Sequence, residues 1–262
     1  MAKKKEKYVI KQGITGAGKD YNVYVLNIRE IVTGYIIGFL AVFLAAEIMF
    51  GVVIASLMLG GIVGLAAIPV YKRYLFKKRT QKITLQFRDM LDSLSNSFSA
   101  GKNTSMAFVD AYNDMEMAYG AKAIIVSEIN IIINGLNNNF TIEDLLTDMA
   151  LRCGIDDMSS FAQTFCVCNR LGGNLKRVVC DSRDIINDKI EIEMEIETTI
   201  SSNKNEMNIL SILPFFIILM MKTMGNSAIT ANTAVNVAVK FIAIGMFIVA
   251  YIIGQKITDI KV

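Results

Sequence analysis

The chain contains no histidine and no tryptophan among its 262 residues. Histidine is the commonest general base and metal ligand at neutral pH, so its absence argues against a hydrolase or a metalloenzyme. The cysteines offer no replacement, because none of the four forms a Cys-x-x-Cys pair: Cys153, Cys166, Cys168 and Cys180. We expect them to be small buried residues in a reducing compartment, and we predict no metal, no cofactor and no catalytic residue.

Charge is scarce in two stretches, 31–71 and 207–254, where most of the apolar residues lie. The first stretch is long enough for two membrane helices, since about 20 apolar residues span a bilayer. Its single charge, Glu47, is expected in the turn between them with its carboxylate at the lipid headgroups; a buried functional glutamate is the alternative. The second stretch divides into helices at about 208–224 and 235–254.

Basic residues flank the first apolar stretch on both sides. Residues 1–29 hold seven lysines and arginines, and residues 72–82 hold six with no acid among them. By the positive-inside rule, both ends of this hairpin face the cytoplasm. Four crossings then place the middle of the chain and its C-terminal tail in the cytoplasm as well, and no cleavable signal peptide is expected.

Residues 13–19, GITGAGK, match the spacing of a phosphate-binding loop. The position that should supply a magnesium-binding hydroxyl is Asp20, whose charge would repel phosphate. Only 12 residues precede the match, too few for a nucleotide-binding core. We therefore interpret the segment as a flexible arm whose lysines contact anionic lipid.

Between the apolar stretches the pattern is helical throughout. Apolar residues recur at spacings of three and four, as from Ile83 to Phe98. Thr141 followed by Asp144 is typical of a helix start. Glycines separate the predicted helices: Gly101, Gly120, Gly154, Gly172 and Gly173. The pattern predicts six helices packed as a bundle.

Residues 190–197, IEIEMEIE, alternate with a period of two, which is typical of a strand. No partner strand is visible and an isolated strand is not stable, so we predict a helix. The helix would place like charges four residues apart, at a cost of a few tenths of a kcal/mol per pair, roughly. Its acids would contact a basic partner or the basic segment 72–82, or form a solvated face: Glu191, Glu193, Glu195 and Glu197.

The middle segment is acidic, with 19 acids and 10 bases between residues 88 and 208. Phosphate binding needs the opposite sign of charge, so nucleic acid is not expected as a ligand. A basic protein partner is compatible with this balance.

These patterns predict an all-α membrane protein with about four transmembrane helices and one cytoplasmic bundle of about six antiparallel helices. The predicted domains are a cytoplasmic N-terminal arm at 1–30, a transmembrane hairpin at 31–71, a cytoplasmic helical domain at 72–207, two transmembrane helices at 208–254, and a cytoplasmic tail at 255–262.

Two motifs resemble the type II secretion system F-domain family, and within it the Tad/Flp pilus assembly proteins of the TadB/TadC kind. The first is LDSLSNSFSAGKNTSMAF at Leu91–Phe108, which is similar to the family's first helix, glycine and second helix. The second and more specific motif is RLGGNL at Arg170–Leu175, between two helices. A polar helix then leads into a membrane helix containing Pro214, again similar to the family. The resemblance covers roughly residues 70–225.

The resemblance implies a non-enzymatic platform protein in the cytoplasmic membrane, at the base of a secretion or pilus machine. Such proteins contact a cytoplasmic ATPase, help extract pilin subunits from the lipid bilayer, and assemble with a second F-domain protein or with copies of themselves. The resemblance supplies Gly101, Gly172 and Gly173 as corner residues, with Asn174 beginning the next helix. We interpret these corners as left-handed helix ends.

The main alternative is a small membrane transporter or permease subunit. A transporter would place polar groups in mid-membrane or break its helices around a pathway. Only Glu47 and Pro214 point in that direction.

Overall fold

The computed structural model describes residues 13–16 and 18–224, together with positions 242, 245, 246, 249, 253 and 254. Within these residues the chain forms seven helices and no strand, which confirms the predicted all-α class. Residues 1–12, the predicted crossing at 235–254 except for isolated positions, and the predicted tail at 255–262 lie outside the described residues.

The seven helices follow one another with short connections. They are α1 (Ile28–Phe50), α2 (Val53–Ser99), α3 (Thr104–Tyr119), α4 (Ile124–Asn137), α5 (Ile142–Cys153), α6 (Asp156–Arg170) and α7 (Leu175–Thr223).

Helices α2 and α7 are far longer than the other five, with 47 and 49 residues. The sequence predicts two helices in place of each of them, one apolar and one belonging to the bundle, and that separation is wrong. Neither segment 72–82 nor segment 198–208 contains a glycine or a proline, so nothing in the local chemistry ends the helix there. Each helix also continues through an internal proline, Pro69 in α2 and Pro214 in α7.

Three helices of the described part are long and apolar enough to cross a membrane: Ile28–Met49, an apolar window within Val53–Ser99, and Asn205–Thr223. The described residues divide into two compact units. The first contains the described part of Met1–Val25 together with Leu75–Ile190, and the second contains Leu26–Tyr74 together with the described part of Glu191–Val262.

The first unit is a helical bundle around one apolar core. Phe87 of α2 meets Phe161 of α6 edge-on with ring centroids 5.5 Å apart, and Phe161 lies 5.5 Å from Phe165. The predicted apolar stripes supply most of this core, which includes Ile83, Met90, Leu91, Leu94, Phe108, Leu145, Leu146 and Met149. Each such side chain contributes about 1.5–3 kcal/mol when it is fully buried. Cys153 is buried as predicted, whereas the other three cysteines are only half-buried.

Side-chain caps begin several of the bundle helices. Asn103 accepts a hydrogen bond from the Met106 N–H at 2.9 Å and caps α3. Thr141 accepts from the Asp144 N–H at 3.2 Å and caps α5, as the sequence predicts. Such a cap is worth about 1 kcal/mol of helix stability.

In the second unit, α1 and α2 approach closely through glycines. A Cβ added to Gly38 would lie 2.5 Å from the Ala67 Cβ and 3.4 Å from the Gly64 Cα. At Gly60 an added Cβ would lie 3.1 Å from the Phe39 ring. These small residues therefore allow the two helices to approach closely, as they do in membrane helix pairs.

Candidate functional site: the helix corners, the docked arm and the Arg152 cluster

Gly101 and Gly172 end α2 and α6 in the left-handed conformation, with φ of 74° and 67°. No heavy atom lies within 4 Å of the position that a Cβ would take at either residue. The requirement for glycine is therefore conformational, because a Cβ is unfavourable at positive φ and not because space is short.

Gly173 is needed for a different reason. Its φ is not in the left-handed region, so the prediction of a left-handed helix end is wrong for Gly173. A Cβ here would lie 2.6 Å from the Cys168 Sγ, and the Gly173 N–H donates to the Cys168 carbonyl at 2.8 Å. Asn174 accepts a hydrogen bond from the Arg177 N–H at 3.1 Å and so begins α7.

The acidic stretch 190–197 is helical, which confirms the sequence prediction. Glu191, Glu193 and Glu195 are exposed on α7; the side chain of Glu197 lies outside the described residues. Ile192 and Met194 between them are 50% and 57% exposed. Contact with a basic partner, contact with the basic segment 72–82 and a solvated face remain the interpretations of this segment.

Glu47 lies in the last turn of α1 and not in the connection to α2, which is formed by Gly51 and Val52. Its carboxylate accepts a hydrogen bond from the Ser56 hydroxyl at 3.1 Å, and Ser56 is fully buried. Its backbone carbonyl accepts from the Lys222 ammonium at 3.2 Å. This small polar cluster therefore joins the ends of three apolar helices within the second unit.

The bundle also contains a buried ionic cluster that the sequence motifs do not predict. Arg152 of α5 is 1% exposed and forms two hydrogen bonds to Glu128 of α4, at 2.8 and 2.5 Å. Its Nε donates to Asp148, one turn earlier on α5, at 2.7 Å. Glu128 is 0% exposed and Asp148 is 8% exposed. Charges are buried this deeply only when they are paired and hydrogen-bonded, as these are.

The N-terminal arm docks directly on this cluster. The Ile14 N–H donates to the Asp148 carboxylate at 3.1 Å, and the Lys19 carbonyl accepts from Arg152 at 3.3 Å. The Tyr21 N–H donates to the Arg152 carbonyl at 2.8 Å, and the Asn22 amide donates to the Leu151 carbonyl at 2.9 Å. Polar contacts therefore attach the arm at four points to the C-terminal half of α5.

Two arm glycines fit closely around the same arginine. A Cβ added to Gly18 would overlap the Arg152 guanidinium, and a Cβ added to Gly13 would lie 3.1 Å from both Arg152 and Asp148. The GITGAGK segment is thus not the flexible arm that the sequence analysis expects. Its glycines allow close approach of the backbone to a buried side chain.

Arg79 of α2 holds the next part of the arm. Its guanidinium donates to the carbonyls of Tyr21 and Val23 and lies 4.6 Å from the centre of the Tyr24 ring. A cation above an aromatic ring is attracted to its face. Burial lowers the pKa of Arg79, although Tyr24 and Tyr21 oppose the shift.

The electrostatics of the cluster favour fixed protonation states. Burial and the neighbouring Glu128 raise the pKa of Tyr21, so its hydroxyl stays protonated and hydrogen-bonded to Glu128. Burial by itself lowers the pKa of Arg152, but the bonds to Glu128 and Asp148 outweigh it and raise the value overall. Burial also raises the pKa of Cys153 to about 12. At neutral pH the cluster holds charges in place and presents no nucleophile.

A weak signal for this cluster exists in the sequence. Arg152 follows the apolar stripe of α5 and sits four residues after Asp148, while Glu128 interrupts the isoleucines of α4. One acid and one base, each on the buried face of neighbouring helices, indicate an internal pair. Nothing comparable indicates that the arm covers them.

Within the described part of the chain, no three histidine, cysteine, aspartate or glutamate side chains lie close enough together to hold a metal ion. No family model, no curated protein and no solved structure matches the chain.

Proposed function

We propose that this protein is a membrane platform of a type II secretion or Tad/Flp pilus assembly machine. Its bundle lies in the cytoplasm, contacts a cytoplasmic ATPase and couples that enzyme to the extraction of pilin subunits and filament assembly. The chain works in the cytoplasmic membrane, with a second F-domain protein or further copies of itself, and has no enzymatic activity of its own.

The observation that carries the proposal is the continuity of α2 and α7. Both helices join an apolar section to the bundle without a break, at 53–99 and 175–223. Helical backbone is stiffer than a flexible linker, because its hydrogen bonds fix the dihedral angles of every residue. In this proposal the two helices are the covalent connections through which an ATPase that acts on the bundle reaches the apolar segments.

The docked arm supports the same proposal with a third connection. Residues 18–24 are attached to the bundle through Arg152 and Arg79. Helix α1 begins at Ile28, and Asn27 and Glu30 form a reciprocal capping box there. Val25 and Leu26 connect the docked arm to that cap.

The motifs that resemble the F-domain family support the choice of machine. Gly101, Gly172 and Gly173 each have a physical requirement for glycine, and Asn174 caps the following helix. Helix corners of this kind determine where neighbouring helices of a bundle meet.

A transporter or permease subunit is the second candidate, and the Glu47 cluster is the observation that favours it. Glu47, Ser56 and Lys222 bring two ionisable groups and a buried hydroxyl together within an apolar unit. Their positions in the terminal turns of the helices are, however, more typical of an interfacial anchor than of a mid-membrane pathway.

The proposal is tested by deleting the gene in its own host and scoring surface filaments and secreted protein. We expect the deletion to abolish one filament or secreted product, and the wild-type gene to restore it. The full-length chain, purified in detergent, is expected to retain a cytoplasmic hexameric ATPase and to hydrolyse no ATP without it. Intact filaments and secretion, combined with loss of uptake of a small solute, would instead establish the transporter.

A further inference from the structure

The outer face of α3 is apolar, in contrast to the outer face of its neighbour α4. The side of α3 opposite its buried residues carries Met106, Val109 and Met117, which are 53%, 41% and 92% exposed, with Asn113 between them. The equivalent face of α4 is polar and consists of Ser127, Asn130, Asn134 and Asn137. Both helices pack on the same core, so the contrast arises on the solvent side alone.

Carboxylates border the apolar face of α3. Asp110 and Asp114 lie along one edge, where they line a cleft of about 380 Å³ between α2 and α3. Glu116 lies along the opposite edge by helical spacing. Asp110 is paired with the Lys102 ammonium at 2.5 Å, whereas Asp114 is bonded to the uncharged hydroxyl of Ser93 at 2.5 Å. The borders are therefore net negative.

We propose that this face of α3 is the docking surface for a basic amphipathic helix of a partner protein. The partner would cover Met106, Val109 and Met117 with large apolar side chains, and place a lysine or arginine in the cleft beside Asp114. Methionines suit such a surface, because their flexible and polarisable side chains adapt to the shape of a partner. Helix recognition by an apolar stripe with charged borders is a common mode of binding.

The charge on the borders decides between this occupant and others. A second copy of the chain using the same face would bring Asp114 and Glu116 against their own equivalents, and like charges across an interface are unfavourable. Anionic lipid and nucleic acid are disfavoured for the same reason. A basic amphipathic helix can cover the apolar stripe with its own apolar side chains and pair its cations with the carboxylates along the borders.

This inference rests on the proposed function in one respect, since it specifies where a protein of the assembly would contact the platform. The test places the photo-crosslinking residue p-benzoylphenylalanine at position 117 of the full-length chain in host membranes. The crosslinked peptide is then sequenced by mass spectrometry. The same crosslinker at Ser127 on the outer face of α4 provides the matched control.

We expect position 117 to crosslink to one partner segment that has helical apolar periodicity and flanking lysines or arginines, and position 127 to give no such product. Asp114→Lys and, separately, Met106→Lys should lower the crosslinking yield by about tenfold or more, as loss of a central contact does. Ser127→Lys should leave the yield unchanged. Using two different substitutions, each with its thermal unfolding measured, separates loss of binding from loss of the fold.

Crosslinks only to another copy of the chain, only to lipid, or equally from both positions would overturn the inference, as would the absence of a protein adduct. A basic helix from a protein unconnected with secretion would support the docking surface and contradict the platform. Co-purification of the ATPase without any crosslink from position 117 would leave the platform standing and contradict the docking surface alone.

Discussion

The glycines of the N-terminal arm and those at the helix corners look alike in sequence, but they satisfy different physical requirements. Gly101 and Gly172 have positive φ and open space around them. Gly13 and Gly18 lie against Arg152: a Cβ at Gly18 would overlap the guanidinium, and one at Gly13 would lie 3.1 Å from the Arg152 Nε. The corner glycines are required by their own backbone conformation, whereas the arm glycines are required by a side chain more than 130 residues away in sequence.

At the helix corners the neighbouring sequence shows why glycine is needed, whereas in the arm the need arises only from tertiary packing. A glycine that ends an amphipathic helix is recognisable from the pattern around it. A glycine that admits a distant arginine is not recognisable, because its neighbours in sequence give no sign of the contact. The GITGAGK segment is the example, since its spacing matches a phosphate loop while its backbone lies against a buried ion cluster.

The largest effect is expected from Arg152→Met. Removing the arginine leaves Glu128 and Asp148 buried without their counter-charge, which should cost about 3–5 kcal/mol. Amide hydrogen exchange of α4 and α5 in the detergent-solubilised chain measures this loss. Arg177→Met is the control, because Arg177 is highly exposed in its ion pair and should contribute at most about 1 kcal/mol. Equal protection in both variants would contradict the importance of the cluster.

Gly18→Ala should have the next largest effect. The added methyl would overlap a guanidinium that Glu128 and Asp148 hold in place, so we expect the arm to be displaced at a cost near the upper end of about 1–3 kcal/mol. Faster alkylation of Cys153 should report this displacement, because that thiol is now buried and its pKa is raised to about 12.

The sign of the Cys153 effect follows from its protonation. With a pKa raised to about 12, almost no thiolate exists at pH 8 in the wild type. Exposure to water would lower the pKa and increase the reactive fraction. Alkylation of Cys153 at the wild-type rate in Gly18→Ala would show that the arm stays docked despite the methyl group.

Gly173→Ala should cost about 1–2 kcal/mol, because its Cβ would lie 2.6 Å from the Cys168 Sγ. The sulfur can turn away in part, so the cost is smaller than at Gly18. The double variant Gly173→Ala/Cys168→Ala should recover most of the lost stability in thermal unfolding. Absence of recovery would indicate a backbone requirement at Gly173 instead of a spatial one.

Gly101→Ala should cost about 1 kcal/mol, the penalty for a Cβ at positive φ. Gly101→Asn should cost less, because asparagine tolerates the left-handed conformation better than alanine. Thermal unfolding of both variants tests the order. An alanine variant as stable as wild type would mean that this corner can adopt another conformation.

The smallest effect is expected from Lys19→Ala. The Lys19 side chain is exposed, and the contact with Arg152 is made by its backbone carbonyl, which the substitution retains. Stability should change by no more than about 0.5 kcal/mol. Equilibrium dialysis with ATP should show no binding in the wild type and none in the variant. ATP binding that disappears in the variant would restore the phosphate-loop interpretation.

Much of the bundle could be predicted from the sequence. The apolar stripe from Ile83 to Leu94, the cap at Thr141 and the glycine breaks are local patterns, and the structure has helices where they predict them. The sequence does not predict the continuity of α2 and α7, because the change from apolar to charged residues resembles a boundary between two helices. A change in composition alters the surroundings of a helix without ending it, whereas a left-handed glycine or a side-chain cap marks a helix end, as at Gly101 and Asn103.

The sequence by itself determined the all-α class, the apolar helices and the positions of most helix ends, because each depends on residues within a few turns of one another. Tertiary structure alone decided that the arm covers Arg152, that Gly173 is needed for space beside Cys168, and that nothing in the described part of the chain covers the apolar outer face of α3. These features depend on which distant residues meet. Periodicity identifies the buried face of a helix, but it does not identify what packs against it.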